Sequence, residues 1–240
     1  MATNYKYNNG GNNADFSDVF IPISAFAQGG LWNWGVNASG QLGDNTIVNK
    51  SSPIQTIASG TNWLSTSSFG ANTMAIKTDG TLWLWGQNTF GQLGDNTVIS
   101  KSSPVQTIAG GTNWKQVSKS ASCCAAIKTD GTLRTWGYNF YGNLGDNTIV
   151  AKSSPVQTVA GGTNWKQVSI GGSSCSSIKT DGTLWNWGKN SVGTLGNGTT
   201  NANTNSPVQT IAGGTNWKQT IVGANSYTNF DFMAAIKNNF

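Results

Sequence analysis

The sequence lacks the side chains that most enzymes use for acid–base catalysis. Its 240 residues contain no histidine and no glutamate, and Arg134 is the only arginine. The usual catalytic groups are therefore reduced to aspartate and lysine, and no serine or cysteine can be paired with a histidine base. No glycine-rich phosphate-binding motif is present either. We expect a protein that is not an enzyme and that needs no cofactor.

Cysteines and long apolar segments are also scarce. Cys123, Cys124 and Cys175 have no CxxC spacing, so we expect small buried side chains and no metal site. No stretch reaches the roughly 18 apolar residues of a membrane span, and no basic segment followed by an apolar one marks a secretory signal. The net charge of +5 comes from lysines that recur at equivalent positions, which favours a solvated surface over a specific nucleic-acid site.

A five-residue motif, Leu-Trp-x-Trp-Gly, is the strongest pattern in the sequence. It begins at Leu31 and recurs every 51 residues, at Leu82, Leu133 and Leu184. A strict period of this length is typical of repeat architectures. Side chains alternate along a strand, so both tryptophans of a copy lie on one face. Arg134 replaces the first one in the third copy, whereas the second one is invariant and is expected to be buried: Trp34, Trp85, Trp136 and Trp187.

Each repeat unit contains signals for about four short strands. A Gly-x-Leu-Gly loop, a Ser-Pro strand start, a Gly-Thr-Asn-Trp turn and an Asp-Gly hairpin follow one another in fixed order. Four units over residues 31–240 predict an all-β fold, a β-propeller of four blades. The repeat starts and stops in mid-unit, so the strand around Ile236 is expected to pair with the strand at Leu31 and close the ring. Two chains that share one larger ring are the alternative.

A second set of tryptophans follows the Gly-Thr-Asn turns and is a candidate ligand surface: Trp63, Trp114, Trp165 and Trp217. Exposed indoles in a ring could stack on sugars, which would make the protein a glycan-binding module. Packing between blades is the alternative interpretation and the one that we favour.

Residues 1–30 lie outside the repeat and are expected to form an N-terminal arm. The first part is polar, and an apolar group follows that either packs on the propeller or anchors the chain to another protein: Phe16, Val19, Phe20, Ile21, Ile23 and Phe26. We expect partner proteins to be bound through this arm.

The repeat resembles that of the regulator-of-chromosome-condensation family. The match is best from Asp79 to Gly94, which reads Asp-Gly-Thr-Leu-Trp-Leu-Trp-Gly followed by Gly-Gln-Leu-Gly. The resemblance implies a β-propeller, for which seven blades are usual in the family. The low charge and the polar, nearly identical repeats also resemble repeat proteins of marine bacteriophage virions.

Three functions are therefore expected, none of them enzymatic. The first is a structural or adhesive component of a virion capsid or tail, attached through the arm and displaying the propeller to a host-surface protein or glycan. The second is an intracellular, cytoplasmic propeller that binds proteins through its loops. The third is the glycan-binding module.

Overall fold

The protein is described here by a computed structural model that covers residues 29–58, 60–224 and 231–238. Within those ranges, sixteen strands form five antiparallel sheets. The all-β repeat architecture predicted from the sequence is therefore confirmed.

The strands follow the repeat. The chain begins with a two-stranded sheet of β1 (Trp32–Gly35) and β2 (Lys50–Gln55). Three complete four-stranded blades follow. The first consists of β3 (Trp63–Phe69), β4 (Asn72–Lys77), β5 (Leu82–Gly86) and β6 (Lys101–Gln106), and the second of β7 (Trp114–Lys119), β8 (Cys123–Lys128), β9 (Leu133–Gly137) and β10 (Lys152–Gln157). The third consists of β11 (Trp165–Ile170), β12 (Ser174–Lys179), β13 (Leu184–Gly188) and β14 (Thr204–Gln209). A second two-stranded sheet, β15 (Trp217–Ala224) and β16 (Asp231–Lys237), ends the order.

Local turn chemistry explains why these strands form. In the hairpin between β8 and β9, the Asp130 carboxylate accepts the backbone N–H of Thr132 at 2.9 Å. Gly131 has a φ of +80°, and a Cβ there would lie 2.0 Å from the carbonyl oxygen of Thr163. Only glycine fits that turn without strain. The hairpin therefore also docks each blade on the start of the next innermost strand.

The core lies between neighbouring blades. The first strand of each complete blade contacts the first strand of the next, which places these strands at the centre of the arc. Between the second and third complete blades, Cys123 and Ala125 pack with Trp165 and Trp187. The indole Nε1 of Trp187 donates to the carbonyl oxygen of Asn143 in the preceding blade at 3.1 Å. Burial of an indole of this size contributes about 4–6 kcal/mol at ~25 cal/mol per Å².

The predicted closure of the ring is not present among the described residues. β1 pairs only with β2 and β16 only with β15, so the N- and C-terminal strands do not form a common blade. The three complete blades and the two half-sheets form an open arc. Local strand signals do not set the angle between successive blades, and that angle decides whether four units close.

The invariant second tryptophan is buried in three of its four copies. Trp85, Trp136 and Trp187 are fully buried, whereas Trp34 is 61% exposed. The prediction is correct for the complete blades and wrong for Trp34, because among the described strands β1 pairs only with β2 and has no inner strand on which its indole would lie. The three cysteines are buried and unpaired, as expected.

Candidate binding surface

The tryptophans predicted as a ligand surface lie on the innermost strands. Trp63 is 7% exposed, Trp114 and Trp165 are 2% exposed, and Trp217 is half-buried. The indole Nε1 atoms of Trp114 and Trp165 donate to backbone carbonyl oxygens within their own turns, at 3.0 and 2.9 Å. These two indoles therefore have no free hydrogen-bonding edge.

Neighbouring side chains cover the faces of the same rings. The Lys128 Nζ atom lies 4.8 Å from the Trp114 ring centroid, and Lys179 stands at the same distance from Trp165. Trp114 also makes an edge contact with Trp136, with ring centroids 6.3 Å apart. No ring face is left open for a sugar at these two positions. The packing interpretation fits the structure, and the recurring lysines have a role as cation–π partners that the sequence pattern did not indicate.

The predicted anchor lies outside the described residues. Phe16, Val19, Phe20, Ile21, Ile23 and Phe26 all precede residue 29. The arm therefore stays a prediction.

The loop after each third strand is held by one buried asparagine. In the middle complete blade, the Asn139 Nδ2 atom donates to the Asp146 Oδ1 atom at 3.0 Å and to the Thr148 and Val150 carbonyl oxygens at 3.1 and 3.2 Å. Its Oδ1 atom accepts the Leu144 N–H at 2.9 Å. Because one rigid side chain spans the loop from residue 139 to residue 150, the loop tip is fixed in space.

An exposed aromatic group lies at the start of these loops. It consists of Phe90 from the loop after β5 and of three residues from the loop after β9, and we refer to the four as the aromatic cluster: Phe90, Tyr138, Phe140 and Tyr141. Ring centroids are 5.1 Å apart for Phe90 and Tyr138 and 5.2 Å apart for Phe140 and Tyr141. The cluster therefore joins two neighbouring blades.

The aromatic cluster is open to solvent although its members touch. Phe140 is 62% exposed and Phe90 is 42% exposed, while both tyrosines are half-buried. Burial raises the pKa of Tyr138, with smaller contributions from Tyr141 and Cys123. From a third blade, Lys189 Nζ lies 4.9 Å from the Tyr141 ring centroid. The result is an apolar surface with hydroxyl groups and one cation at its rim.

Sequence reasoning missed this cluster because it was directed at what the repeats share. The positions equivalent to Tyr138 hold Val36, Gln87 and Lys189, and those equivalent to Phe140 hold Ala38, Thr89 and Ser191. A search for places where the repeats diverge towards aromatic residues would have found it.

The two thiols of β8 are held in their neutral form. Burial raises the pKa of Cys123 to about 11 and that of Cys124 to about 12, so both thiols stay protonated at neutral pH. In the described part of the chain, no three potential ligands of the cysteine, histidine or carboxylate type are grouped as a metal would require. The described residues contain no helix that is long and apolar enough to span a bilayer.

Comparison with known proteins identifies the repeat. The family model for the regulator of chromosome condensation (RCC1) repeat matches four times, at residues 28–76, 79–127, 130–178 and 181–228. The chain is 28% identical over 211 residues to the ultraviolet-B receptor UVR8 of Arabidopsis thaliana, which covers 82% of this chain and 48% of the receptor. It is 30% identical over 184 residues to the human E3 ubiquitin-protein ligase HERC2, which covers 74% of this chain and 4% of the ligase.

A solved structure shows the same fold. The yeast RCC1 protein Prp20, crystallised with Kap60, superposes with a TM-score of 0.72 at 18% identity. The match covers 88% of this chain and 51% of Prp20. The chain thus spans about half the length of Prp20 and of the ultraviolet-B receptor.

Proposed function

The chain belongs to the RCC1 repeat family, and on that premise we propose that it is a non-enzymatic protein-binding module. The observation that carries the proposal is the aromatic cluster on the loop side of the arc. Its four rings come from two loops, each held by a buried asparagine of the same kind as Asn139. A partner would therefore meet a surface that is already ordered.

The composition of the cluster suits a protein partner. Tyrosine and phenylalanine bury a large area at a small cost in side-chain entropy, and aromatic residues are enriched where binding energy concentrates. The exposed ring of Phe140 is the expected anchor, with Phe90 beside it. No carboxylate belongs to the cluster, and its exposed surface is mainly aromatic, which favours a partner segment with apolar side chains.

Protein binding also agrees with what is known of a relative. Kap60 was crystallised bound to Prp20, so at least one protein with this fold engages another protein. The ligase activity named for HERC2 is not transferred, because the match covers 4% of that protein.

The virion location is a narrower proposal that composition alone supports. In that version the arm at Phe16–Phe26 attaches the chain to a capsid or tail protein, and the aromatic cluster contacts a host-surface protein or glycan. A truncation that removes residues 1–30 should abolish co-assembly with particles while the arc stays folded.

The experiment for the binding module uses selected peptides as probes. A random peptide display library is enriched on the immobilised chain, and each recovered peptide is measured against the variant Phe90→Ser/Phe140→Ser. Ile149→Ser/Val150→Ser is the matched control, because these side chains are 61% and 60% exposed in the same loop.

We expect about 10- to 100-fold weaker binding to the aromatic variant and little change for the control. Peptides that bind both variants equally would show that the surface lies elsewhere. Recovery of no binder, together with retention on a glycan array, would favour the glycan-binding module.

A further inference from the structure

The two half-sheets at the ends of the arc are complementary parts of one blade. By repeat position, β1 and β2 correspond to β5 and β6, the outer strands of a complete blade. In the same way, β15 and β16 correspond to β3 and β4, the inner strands. β1 therefore presents the edge that a β4 strand normally covers, and β16 presents the edge that a β5 strand covers.

Both edges expose side chains that are buried in every complete blade. Ile76, Ile127 and Ile178 of the second strands are at most 1% exposed, whereas the equivalent Ile236 is 53% exposed. Trp34 is 61% exposed, whereas its three equivalents are fully buried. Exposed apolar sheet edges of this kind are templates for pairing with another strand.

A loop that could receive the exposed Trp34 side chain lies at the other end of the arc, and none of the described residues covers it. In the complete blades this tryptophan rests on the Gly-x-Leu-Gly loop of the preceding blade. Trp85 Nε1 donates to the Gln41 carbonyl oxygen at 2.9 Å, and a Cβ at Gly43 would lie 2.7 Å from that nitrogen. The last such loop contains Gly196, and a Cβ there would meet nothing within 4 Å.

The backbone of β1 at Gly35 also lacks, among the described residues, the close neighbour that its equivalents have. Its φ of +103° equals that of Gly188 in a complete blade. A Cβ at Gly188 would lie 2.5 Å from the carbonyl oxygen of Ser173, the residue before the paired strand β12, whereas a Cβ at Gly35 would meet nothing within 4 Å. The backbone of β1 therefore already has the shape that accepts a close neighbour, and none of the described residues fills that place.

We propose that β1 of one copy pairs antiparallel with β16 of a second copy, so that two chains close one ring. The register follows from the complete blades, in which Met74 faces Leu84 and Ile76 faces Leu82. Applied to the ends, it gives three aligned pairs: Leu31 with Ile236, Asn33 with Ala234, and Gly35 with Phe232. Trp34 would then stand over Gly196 of the partner copy and against Trp217, as Trp85 stands against Trp63.

A second copy is the occupant because of the curvature of the arc. The match to Prp20 covers 88% of this chain and 51% of the Prp20 chain, so the curvature of the arc corresponds to about half of that protein. A second half ring supplies both complementary edges at once. The two contacts are identical by twofold symmetry, which closes the assembly. The ring would contain three complete blades from each copy and two composite ones.

The direct test is a disulfide that can form only between chains. The Leu31 carbonyl oxygen accepts the Thr56 N–H on the β2 side, and the Asn238 N–H donates to the Asn216 carbonyl oxygen on the β15 side. By alternation along each strand, Asn33 and Ala234 point their backbone groups away from each other. Such non-hydrogen-bonded pairs have Cα atoms about 4.5 Å apart, within the range for a disulfide.

The single variants Asn33→Cys and Ala234→Cys are therefore mixed and oxidised. We expect a cross-linked species of twice the 25.2 kDa chain mass in the mixture and not with either variant alone. The double variant Asn33→Cys/Ala234→Cys should give the same mass. A double variant that oxidises within one chain, with no cross-link in the mixture, would overturn the proposal in favour of a self-closed ring.

Sedimentation of the full-length chain provides the second measurement. We expect a dimer that Trp34→Ala weakens by at least about 30-fold, because a central aromatic anchor is lost from both contacts. Ala235→Pro removes an N–H that points to the free edge, where proline is tolerated in a single chain, and it should also give monomer. Phe140→Ser should stay dimeric. A wild-type monomer, or open assemblies larger than a dimer, would refute the closed two-chain ring.

Discussion

The buried asparagine that organises each loop offers the sharpest test of how the fold supports the binding surface. Asn139 is fully buried, and the change Asn139→Ala removes every side-chain bond that it makes to residues 144–150. Backbone packing of β9 is left intact, because the loop begins after Gly137. The perturbation is therefore confined to the loop that carries Tyr138, Phe140 and Tyr141.

The expected cost follows from the number of bonds. An amide can donate two hydrogens and accept at its oxygen, so the five contacts within 3.2 Å represent about three full hydrogen bonds. At a net ~1 kcal/mol per bond the loss is about 3 kcal/mol. The buried N–H of Leu144 also loses its partner, which moves the expected loss in the free energy of unfolding towards about 5 kcal/mol. That is a large part of the ~5–15 kcal/mol of a typical domain.

The assay compares two sites of the same kind. Asn37→Ala is the matched control, because Asn37 is equally buried, lies outside the two loops of the aromatic cluster and makes the same bonds to Asp44, Thr46, Val48 and Leu42. Urea unfolding followed by tryptophan fluorescence should show similar losses for both variants. Only Asn139→Ala should also weaken the peptides selected on the aromatic cluster.

Two outcomes would refute this reasoning. A loss below about 1 kcal/mol for both variants would mean that these buried bonds contribute little net stability. Equal weakening of peptide binding by both variants would mean that global destabilisation, and not the order of one loop, controls the surface.

Three further predictions concern stability. Gly131→Ala should destabilise the fold by at least about 3 kcal/mol, because the new Cβ would meet the Thr163 carbonyl group. Gly213→Ala, with open space around it, should cost about 1–2 kcal/mol, and thermal unfolding of the two variants measures the difference. Burial lowers the pKa of Lys119 below its ordinary 10.5, so the wild type should gain stability relative to Lys119→Ile as the pH rises towards 10.5. A difference in the free energy of unfolding between the two proteins that does not change with pH would contradict this. Three hairpin aspartates have a pKa below 3.8 because the threonine two residues further on donates hydrogen bonds to each carboxylate: Asp79, Asp130 and Asp181. The stability that these carboxylates contribute is present above pH 3.8 and is lost as the pH falls through the lowered pKa values. A triple Thr→Val variant should therefore lose less stability than the wild type during acid titration.

Much of the fold could be predicted because it is written in local patterns. The strands start and end where the Leu-Trp-x-Trp-Gly motif and the Asp-Gly turn place them, as β5 at Leu82–Gly86 shows. The aromatic cluster could not be predicted in the same way. Phe90 and Tyr138 are 48 residues apart, and only the packing of two blades brings their rings within 5.1 Å.

The sequence by itself determined the all-β character, the number of repeats and the burial of the cysteines, because these depend on side-chain alternation and turn chemistry within one unit. Only the tertiary structure decided that Trp63 is buried, that Trp34 is exposed and that β1 and β16 lie in separate sheets. Those properties depend on the angle between blades, which packing of Trp85 and its equivalents on the preceding loop sets. A repeat pattern specifies each blade, but the curvature accumulated over several blades determines which edges meet.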